Sequence, residues 1–138
     1  LVAYGSMVKT ALDAADLLAA DGIEATVFNA RFARPLDTRA IDRLVGEVPL
    51  LFTLEEHTVN GGFGSAVLEH LAARPDGLPI DCAVRVLGVP DRLIPHGDAE
   101  DWLARLHLDA AGIAARARRE AAVRAGSRAE GPSRSPSA

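Results

Sequence analysis

The chain has 138 residues, 49% of them hydrophobic, which is enough for one domain with a single sizeable core. Its formal net charge is −4, but residues 116–138 contain six Arg and two Glu, so the rest of the chain carries −8. An acidic body argues against nucleic acid as the main partner. We interpret the Arg-rich end as a solvated tail rather than as a segment that binds an anion.

Cysteine content and hydropathy exclude several further classes of protein. The single cysteine, Cys82, excludes an intramolecular disulfide framework and a zinc motif built on cysteine pairs. We find no apolar run of about 18 residues and no basic-then-apolar leader, so we expect neither a membrane span nor a secretion signal. A reducing, cytoplasmic setting fits these features best.

The first predicted strand is the apolar run Leu1 to Tyr4. Ser6 is predicted to cap the helix that follows, because a serine oxygen can accept hydrogen bonds from the first helical turn. Apolar residues then recur at intervals of three and four, which predicts an amphipathic helix ending near Gly22. Because the first strand starts inside an apolar run at residue 1, we expect a fragment of a longer protein.

The second predicted unit is a strand over residues 25–29, which are β-branched and aromatic. A loop follows at 31–35, since a proline biases the residue before it away from helical dihedrals. Asp37 is then predicted to cap a second helix, with Leu36 and Ile41 placed as a hydrophobic staple.

The third predicted strand leads into the most informative segment of the chain. An apolar run over 50–54 ends in Glu55, Glu56 and His57, and a glycine-rich turn at 61–64 precedes a third helix. Polar groups at the carboxyl end of a strand are where α/β folds commonly place ligands or partner surfaces.

The last part of the chain contains a fourth predicted strand, over 82–88, and a loop with two prolines, over 88–97. A helix opens at Asp98 with acidic residues in its first turn, which suits the helix dipole. Asp109 is predicted to cap a final helix rich in Ala and Arg. The domain is expected to span 1–125, and residues 126–138, rich in Ser, Arg and Pro, are predicted to be disordered.

Strands that alternate with helices at this spacing predict right-handed βαβ units. The predicted fold class is therefore α/β, a three-layer α/β/α arrangement around a mostly parallel sheet of about four strands.

The glycine-rich turn admits two interpretations. A dinucleotide fingerprint requires a third glycine where this chain has Val67, and the carboxylates beside the turn would repel a pyrophosphate. A tight turn that needs glycine dihedrals is favoured.

The adjacent carboxylates Glu55 and Glu56 could form a general acid/base pair. Consecutive strand residues point to opposite faces, however, so the two should not share a proton. We expect one of them to accept hydrogen bonds from the amides of 61–64 and the other to face solvent or a neighbouring domain. A structural or interface role is favoured over catalysis.

The histidines and the serine of this region give weaker signals. His57 and His96 lie in loops expected at the carboxyl side of the sheet, where a hydrogen-bonded loop histidine is the favoured interpretation. His70 and His107 are expected at the surface. No histidine is paired with a cysteine or carboxylate at metal-ligand spacing, and Ser65 lacks the glycines of a nucleophile elbow.

The sequence also lacks a P-loop and the Gly-Asp-Gly segment with a downstream Asn that holds the metal in thiamine diphosphate enzymes. We therefore predict no catalytic, cofactor-binding or metal-binding residue in this chain. The candidate interface residues are Glu55, Glu56, His57, Gly61, Gly62, Gly64 and His96.

Four segments match one family together, in the same order and at similar spacing: residues 3–7, residues 28–32 with 34–37, residues 53–57 with 61–67, and residues 87–91 with 94–97. Over about residues 1 to 120 the chain resembles the C-terminal domain of 1-deoxy-D-xylulose-5-phosphate synthases. The wider transketolase C-terminal superfamily, including the β subunits of 2-oxoacid dehydrogenases, shares part of this pattern.

The resemblance implies a transferase that condenses pyruvate with glyceraldehyde 3-phosphate, with release of carbon dioxide, in isoprenoid precursor synthesis. It implies thiamine diphosphate and Mg²⁺ held by two upstream domains, and none bound by this chain. The family domain packs against those domains and helps form a homodimer, and it begins with an antiparallel edge strand that is missing here. The isolated chain is accordingly expected to be inactive, with no nucleic-acid or membrane partner.

Two alternatives stay open at this point. One is the C-terminal domain of a 2-oxoacid dehydrogenase E1 β subunit, which would bind a partner in a multienzyme complex. The other is a stand-alone small-molecule-binding protein of doubly wound type, which the truncated first strand disfavours.

Overall fold

The computed structural model describes residues 1–77 and 81–129, which form a four-stranded sheet with helices on both faces. The strand order is β2-β1-β3-β4, and each pairing is parallel. This confirms the predicted three-layer α/β/α fold. In chain order the elements are β1 (Val2–Ala3), α1 (Met7–Ala19), β2 (Phe28–Asn29), α2 (Thr38–Glu47), β3 (Leu50–Thr58), α3 (Phe63–Ala72), β4 (Ala83–Val89), α4 (Ala99–Arg105) and α5 (Ala110–Ala129).

The first two strands are shorter than predicted. Strand β2 has two residues where 25–29 were predicted, because it pairs only with β1, which itself has two residues. Beyond the paired residues, no other strand of the described part of the chain lies beside the β-branched run to hold it extended. Pairing across the sheet, rather than local propensity, sets the length of these strands.

Capping is correctly predicted at two helices and wrong at one. Ser6 has helical dihedrals, φ −61° and ψ −23°, and its side chain makes no capping hydrogen bond, since a capping residue needs extended dihedrals to aim its oxygen at the turn. Asp37 and Asp109 cap as predicted, and Asp98 caps α4. Their carboxylates accept, at 2.9–3.2 Å, from the backbone N–H groups of Ala40, of Gly112, and of Glu100 and Asp101.

Side chains alternate along β3, so that the sheet buries apolar groups on both faces. Phe52 and Leu54 pack with α1 and α5 on one face, and Leu51 packs with α2 and α3 on the other. Cys82 lies one residue before β4 in the second cluster, and burial raises the pKa of its thiol.

Helix α5 ties two of its arginines to other parts of the fold. The guanidinium of Arg118 pairs with Asp21 and donates to the carbonyl of Leu17 at 3.1 Å. Arg124 donates to the carbonyl of Asp81 at 2.6 Å. Long arginine stems let a helix with few large apolar residues reach acceptors at its margin.

Another contact of α5 with the sheet is made by Glu120. Its carboxylate lies 3.0 Å from Nη2 of Arg85 on β4 and 3.2 Å from Nε of Arg116 one turn earlier in α5. Hydrogen bonding from Arg85, together with the Arg116 charge, holds the pKa of Glu120 below its ordinary value of 4.5.

The C-terminal end of α5 extends to Ala129, into the segment predicted as a disordered tail from Gly126 onward. Residues 130–138 of that predicted tail lie outside the described residues. Within the described ranges, no helix is long and apolar enough to cross a membrane.

We expect Glu120→Gln to lower the free energy of unfolding at pH 7 by about 1 kcal/mol, because the link between β4 and α5 loses its charge. Because the pKa of Glu120 is lower in the folded state, its charged form contributes its full stability above pH 4.5. This contribution is lost as the pH falls through the folded-state pKa. The difference between the two proteins in urea unfolding should therefore shrink below pH 4.5. Glu47→Gln is the control, since the Arg43–Glu47 pair is long, at 3.9 Å, and exposed. A Glu120→Gln effect that persists at low pH would contradict the prediction.

Candidate functional site

The junction between β3 and α3 is built around the carboxylate of Glu55. The side chain is buried, with 1% exposed. Its Oε2 accepts from the N–H of Phe63 at 2.7 Å, and its Oε1 accepts from the N–H of Gly64 at 2.8 Å. One of the two adjacent carboxylates thus binds the amides of the glycine turn, as expected from the sequence.

These two N–H groups belong to the first turn of α3, where no carbonyl of the helix can reach them. A carboxylate there meets unpaired donors and the positive end of the helix dipole together. Both oxygens of Glu55 are engaged by these N–H groups, and its side chain is buried. The general acid/base interpretation is therefore not supported by this geometry.

Glu56 and His57, in contrast, are exposed. Glu55 and Glu56 point to opposite faces of β3, as strand alternation predicts, so the pair does not share a proton. The interface role of these residues stays a prediction at this point.

The turn after β3 needs glycine at Gly61 for its backbone dihedrals. Gly61 has φ +71°, in the left-handed region, and its N–H donates to Oγ of Ser65 at 3.1 Å. The Ser65 hydroxyl in turn donates to the carbonyl of Val59 at 2.6 Å, which closes the turn. Ser65 is thus a structural residue.

Gly62 and Gly64 are needed for a different reason, which is the close approach of the start of α3 to Glu55 and to the sheet. A Cβ at Gly62 would collide with Oε2 of Glu55, and a Cβ at Gly64 would collide with Val86 and lie 2.6 Å from Oγ1 of Thr53. The glycines let α3 start directly above the sheet with its amides on the carboxylate. This supports the tight-turn interpretation over a dinucleotide fingerprint.

A groove of about 400 Å³ opens beside this turn, at the carboxyl ends of the strands. Its lining includes Tyr4, Arg34, His57 and Phe63 as well as Arg31. The rings of Tyr4 and Phe63 are stacked, with centroids 5.5 Å apart and planes inclined by 18°. The groove therefore combines an aromatic wall with basic side chains.

Arg31 is the residue of this groove that sequence reasoning missed. Its φ is +53°, which is uncommon outside glycine, and its N–H donates to Oδ1 of Asn29 at 3.0 Å. Its guanidinium lies 6.0 Å from the ring of Phe32, which is 60% exposed. The signal in the sequence was Asn29, because an Asn side chain often bonds the backbone two residues later in a turn.

The predicted residues are only partly brought together. Glu55, His57, Gly61 and Gly62 line the groove, whereas His96 lies exposed in the loop between β4 and α4 and does not line it. Glu56 and Gly64 are likewise absent from the lining.

The β4–α4 loop is tied to the glycine turn through Asn60, whose Nδ2 donates to Oδ2 of Asp91 at 2.8 Å. The same loop exposes 98% of Leu93.

His70 was predicted at the surface, and the structure places it there only in part. Its side chain is 21% exposed, and its Nε2 lies 2.9 Å from Oδ1 of Asp42, which links α3 to α2. Arg74 lies 3.6 Å from the same oxygen. Asp42 and His70 are 28 residues apart, so no local pattern could have paired them. His107 is exposed, as expected.

A family model described as the C-terminal domain of transketolase matches residues 1–113. The 1-deoxy-D-xylulose-5-phosphate synthase of Chlorobium luteolum is 46% identical over 114 residues, which cover 83% of this chain and 17% of that protein. The synthase of a Synechococcus species is 49% identical over 136 residues, covering 96% and 20%. The chain thus spans at most about a fifth of the length of these curated relatives.

A solved structure also resembles this fold. A chain described as "Split gene transketolase, inactive beta4 tetramer" has a TM-score of 0.71 and 29% sequence identity. The match covers 86% of this chain and 37% of that chain.

We expect Glu55→Gln to lower the free energy of unfolding by about 2–3 kcal/mol, because the amide NH₂ would face a buried N–H that has lost its acceptor. Glu56→Gln is the matched control, since Glu56 is its exposed neighbour, and it should change stability by less than about 0.5 kcal/mol. Urea unfolding of both variants measures the difference. Equal effects of the two substitutions would show that the buried carboxylate does not hold the turn.

Gly64→Ala should also destabilise, by about 1–3 kcal/mol, because the added methyl collides with Val86 below α3. Gly46→Ala should stabilise by about 0.5–1 kcal/mol, since Gly46 lies within α2 with open space around it. Thermal unfolding of the two variants tests the contrast. A neutral Gly64→Ala substitution would mean that α3 is free to move away from the sheet.

Proposed function

Because the chain belongs to the transketolase C-terminal domain family, we propose that it is the C-terminal domain of a 1-deoxy-D-xylulose-5-phosphate synthase. The observation that carries the proposal is its identity of 44–49% to eight curated synthases, over 83–96% of this chain. All eight carry this name, which favours the synthase over a 2-oxoacid dehydrogenase β subunit. The parent enzyme would condense pyruvate with glyceraldehyde 3-phosphate, with loss of carbon dioxide, to supply isoprenoid precursors in the cytoplasm.

We propose that the cofactors of the parent enzyme, thiamine diphosphate and Mg²⁺, are held by its upstream domains and not by this chain. Among residues 1–77 and 81–129, no three His, Cys, Asp or Glu side chains converge on a point where a metal could sit. The buried carboxylate at the sheet edge has both oxygens bound to backbone N–H groups. We therefore assign cofactor binding and the chemical steps to upstream domains.

The role of this domain is packing and dimerisation. The carboxyl edge of its sheet exposes two large apolar side chains, Phe32 by 60% and Leu93 by 98%. Arg31 and Arg34 line the groove there and form no ion pair within the described part of the chain. Exposed apolar groups beside unpaired charges are typical of a surface that another domain covers. The similar transketolase chain is itself described as part of a tetramer.

A chimaeric enzyme tests the proposal. We expect the Chlorobium luteolum synthase, with its matching region replaced by this chain, to form 1-deoxy-D-xylulose 5-phosphate, whereas the same enzyme truncated before that region should not. In the chimaera, Phe32→Asp should lower the rate at least about tenfold by weakening domain packing. Leu12→Asp is the matched control, because Leu12 is 52% exposed on α1 and should leave the rate unchanged.

Two results would overturn the proposal. One is a folded chimaera without activity beside an active parent enzyme. The other is saturable micromolar binding of thiamine diphosphate to the isolated chain in calorimetry, which would place a cofactor site here. Equal rates for the two chimaera variants would reject the carboxyl edge as the packing surface.

A further inference from the structure

Strand β4 lies at the edge of the sheet and, within the described residues, pairs only with β3. Its first and last residues show how its backbone is turned. The N–H of Ala83 donates to the carbonyl of Pro49 at 3.0 Å, and the carbonyl of Val89 accepts from the N–H of Val59 at 2.9 Å. Because backbone groups alternate in direction along a strand, the odd-numbered residues of β4 face β3.

The even-numbered residues therefore turn their N–H and C=O groups to the open edge. The first of them, Val84, is partly covered, because Nη1 of Arg85 donates to its carbonyl at 3.2 Å. A charged side chain over an edge is a common protection against unwanted pairing. At Val86 and Gly88, no such contact is found within the described part of the chain, so the C-terminal half of the edge is open.

The open half of the edge forms one wall of a groove of about 320 Å³ between β4 and the start of α5. Apolar side chains, Leu106 and Leu108, contribute to its lining. Basic side chains complete it: His107, Arg116 and Arg119. An open strand edge that runs beside a helix, with an apolar lining between them, is the arrangement by which several domains bind extended peptides.

The charge of this groove indicates which peptide would fit. Two acids lie nearby among the described residues: Glu120 is shared by Arg85 and Arg116, and Asp109 accepts from the N–H of Gly112. With Arg119 added, arginines outnumber these acids, so the rim stays basic in a chain whose net charge is −4. A second copy of the chain fits poorly, since two β4 edges in antiparallel contact would bring like charges together. A small anion would leave the carbonyl groups of the edge without a donor.

We propose that the open half of β4 binds an extended acidic peptide of a partner protein as an additional strand. The peptide exchanges backbone hydrogen bonds with Val86 and Gly88, and its carboxylates lie beside Arg116 and Arg119. This site lies on a different edge of the sheet from the carboxyl-edge groove, and it does not depend on the enzyme to which the domain belongs.

The test mixes the 138-residue chain with a fluorescein-labelled peptide of alternating valine and glutamate. Fluorescence anisotropy measures the binding of the peptide. We expect saturable binding that weakens at least about tenfold with Val86→Pro, which removes an outward N–H while leaving the pairing with β3 intact. Arg119→Glu should weaken it at least about fivefold. Arg39→Glu, an exposed change on α2, is the matched control and should have no effect.

A second measurement does not depend on the folding of any variant. The same peptide with N-methylated backbone amides should lose binding to the unaltered chain, and a valine-lysine peptide should not bind. Equal binding of the methylated peptide would overturn the proposal in favour of general charge attraction, and displacement by millimolar phosphate would overturn it in favour of an anion site. No saturation at millimolar peptide, or a dimer in ultracentrifugation that Val86→Pro abolishes, would also overturn it.

Discussion

The buried carboxylate of Glu55 sets the geometry on which the carboxyl edge of the sheet depends. Removing a charge from water costs several kcal/mol, and here two short hydrogen bonds from the first turn of α3 offset that cost. The bonds fix where α3 begins relative to β3. That position in turn requires glycine at Gly62 and Gly64, because any Cβ would occupy the space of the carboxylate or of the sheet.

The same arrangement limits what a segment with the residue types of an active site can offer to proton transfer. Its one buried acid is occupied by the backbone, and within the described residues the exposed Glu56 and His57 have no hydrogen-bond partner that would orient them for proton transfer. What the junction produces is a rigid edge with a basic, aromatic groove. Such an edge suits contact with other domains, which agrees with a chain that spans only about a fifth of its curated relatives.

Local patterns in the sequence were sufficient to predict those features that depend on residues close together in the chain. The alternation along β3, the caps at Asp37 and Asp109 and the glycine turn all depend on contacts a few residues apart. Prediction failed for features that depend on residues far apart in the chain. The pair of Asp21 and Arg118 joins residues 97 positions apart, and the two-residue length of β2 depends on how little of β1 it can pair with. Arg31 is intermediate, since its turn is local but its place in the groove is not.

The arginines of α5 show how one residue type can serve both the fold and a surface. A helix rich in alanine buries little apolar area, so Arg118 adds a polar contact to the end of α1 and Arg124 adds one to the segment before β4. Glu120 is the acceptor between α5 and β4, and each of its two oxygens already binds an arginine, Arg85 or Arg116. Arg119 therefore stays exposed beside the open edge of β4. The contacts that stabilise α5 thus leave a basic rim beside β4. Among the described residues, it borders the part of the β4 edge whose hydrogen-bonding groups are open.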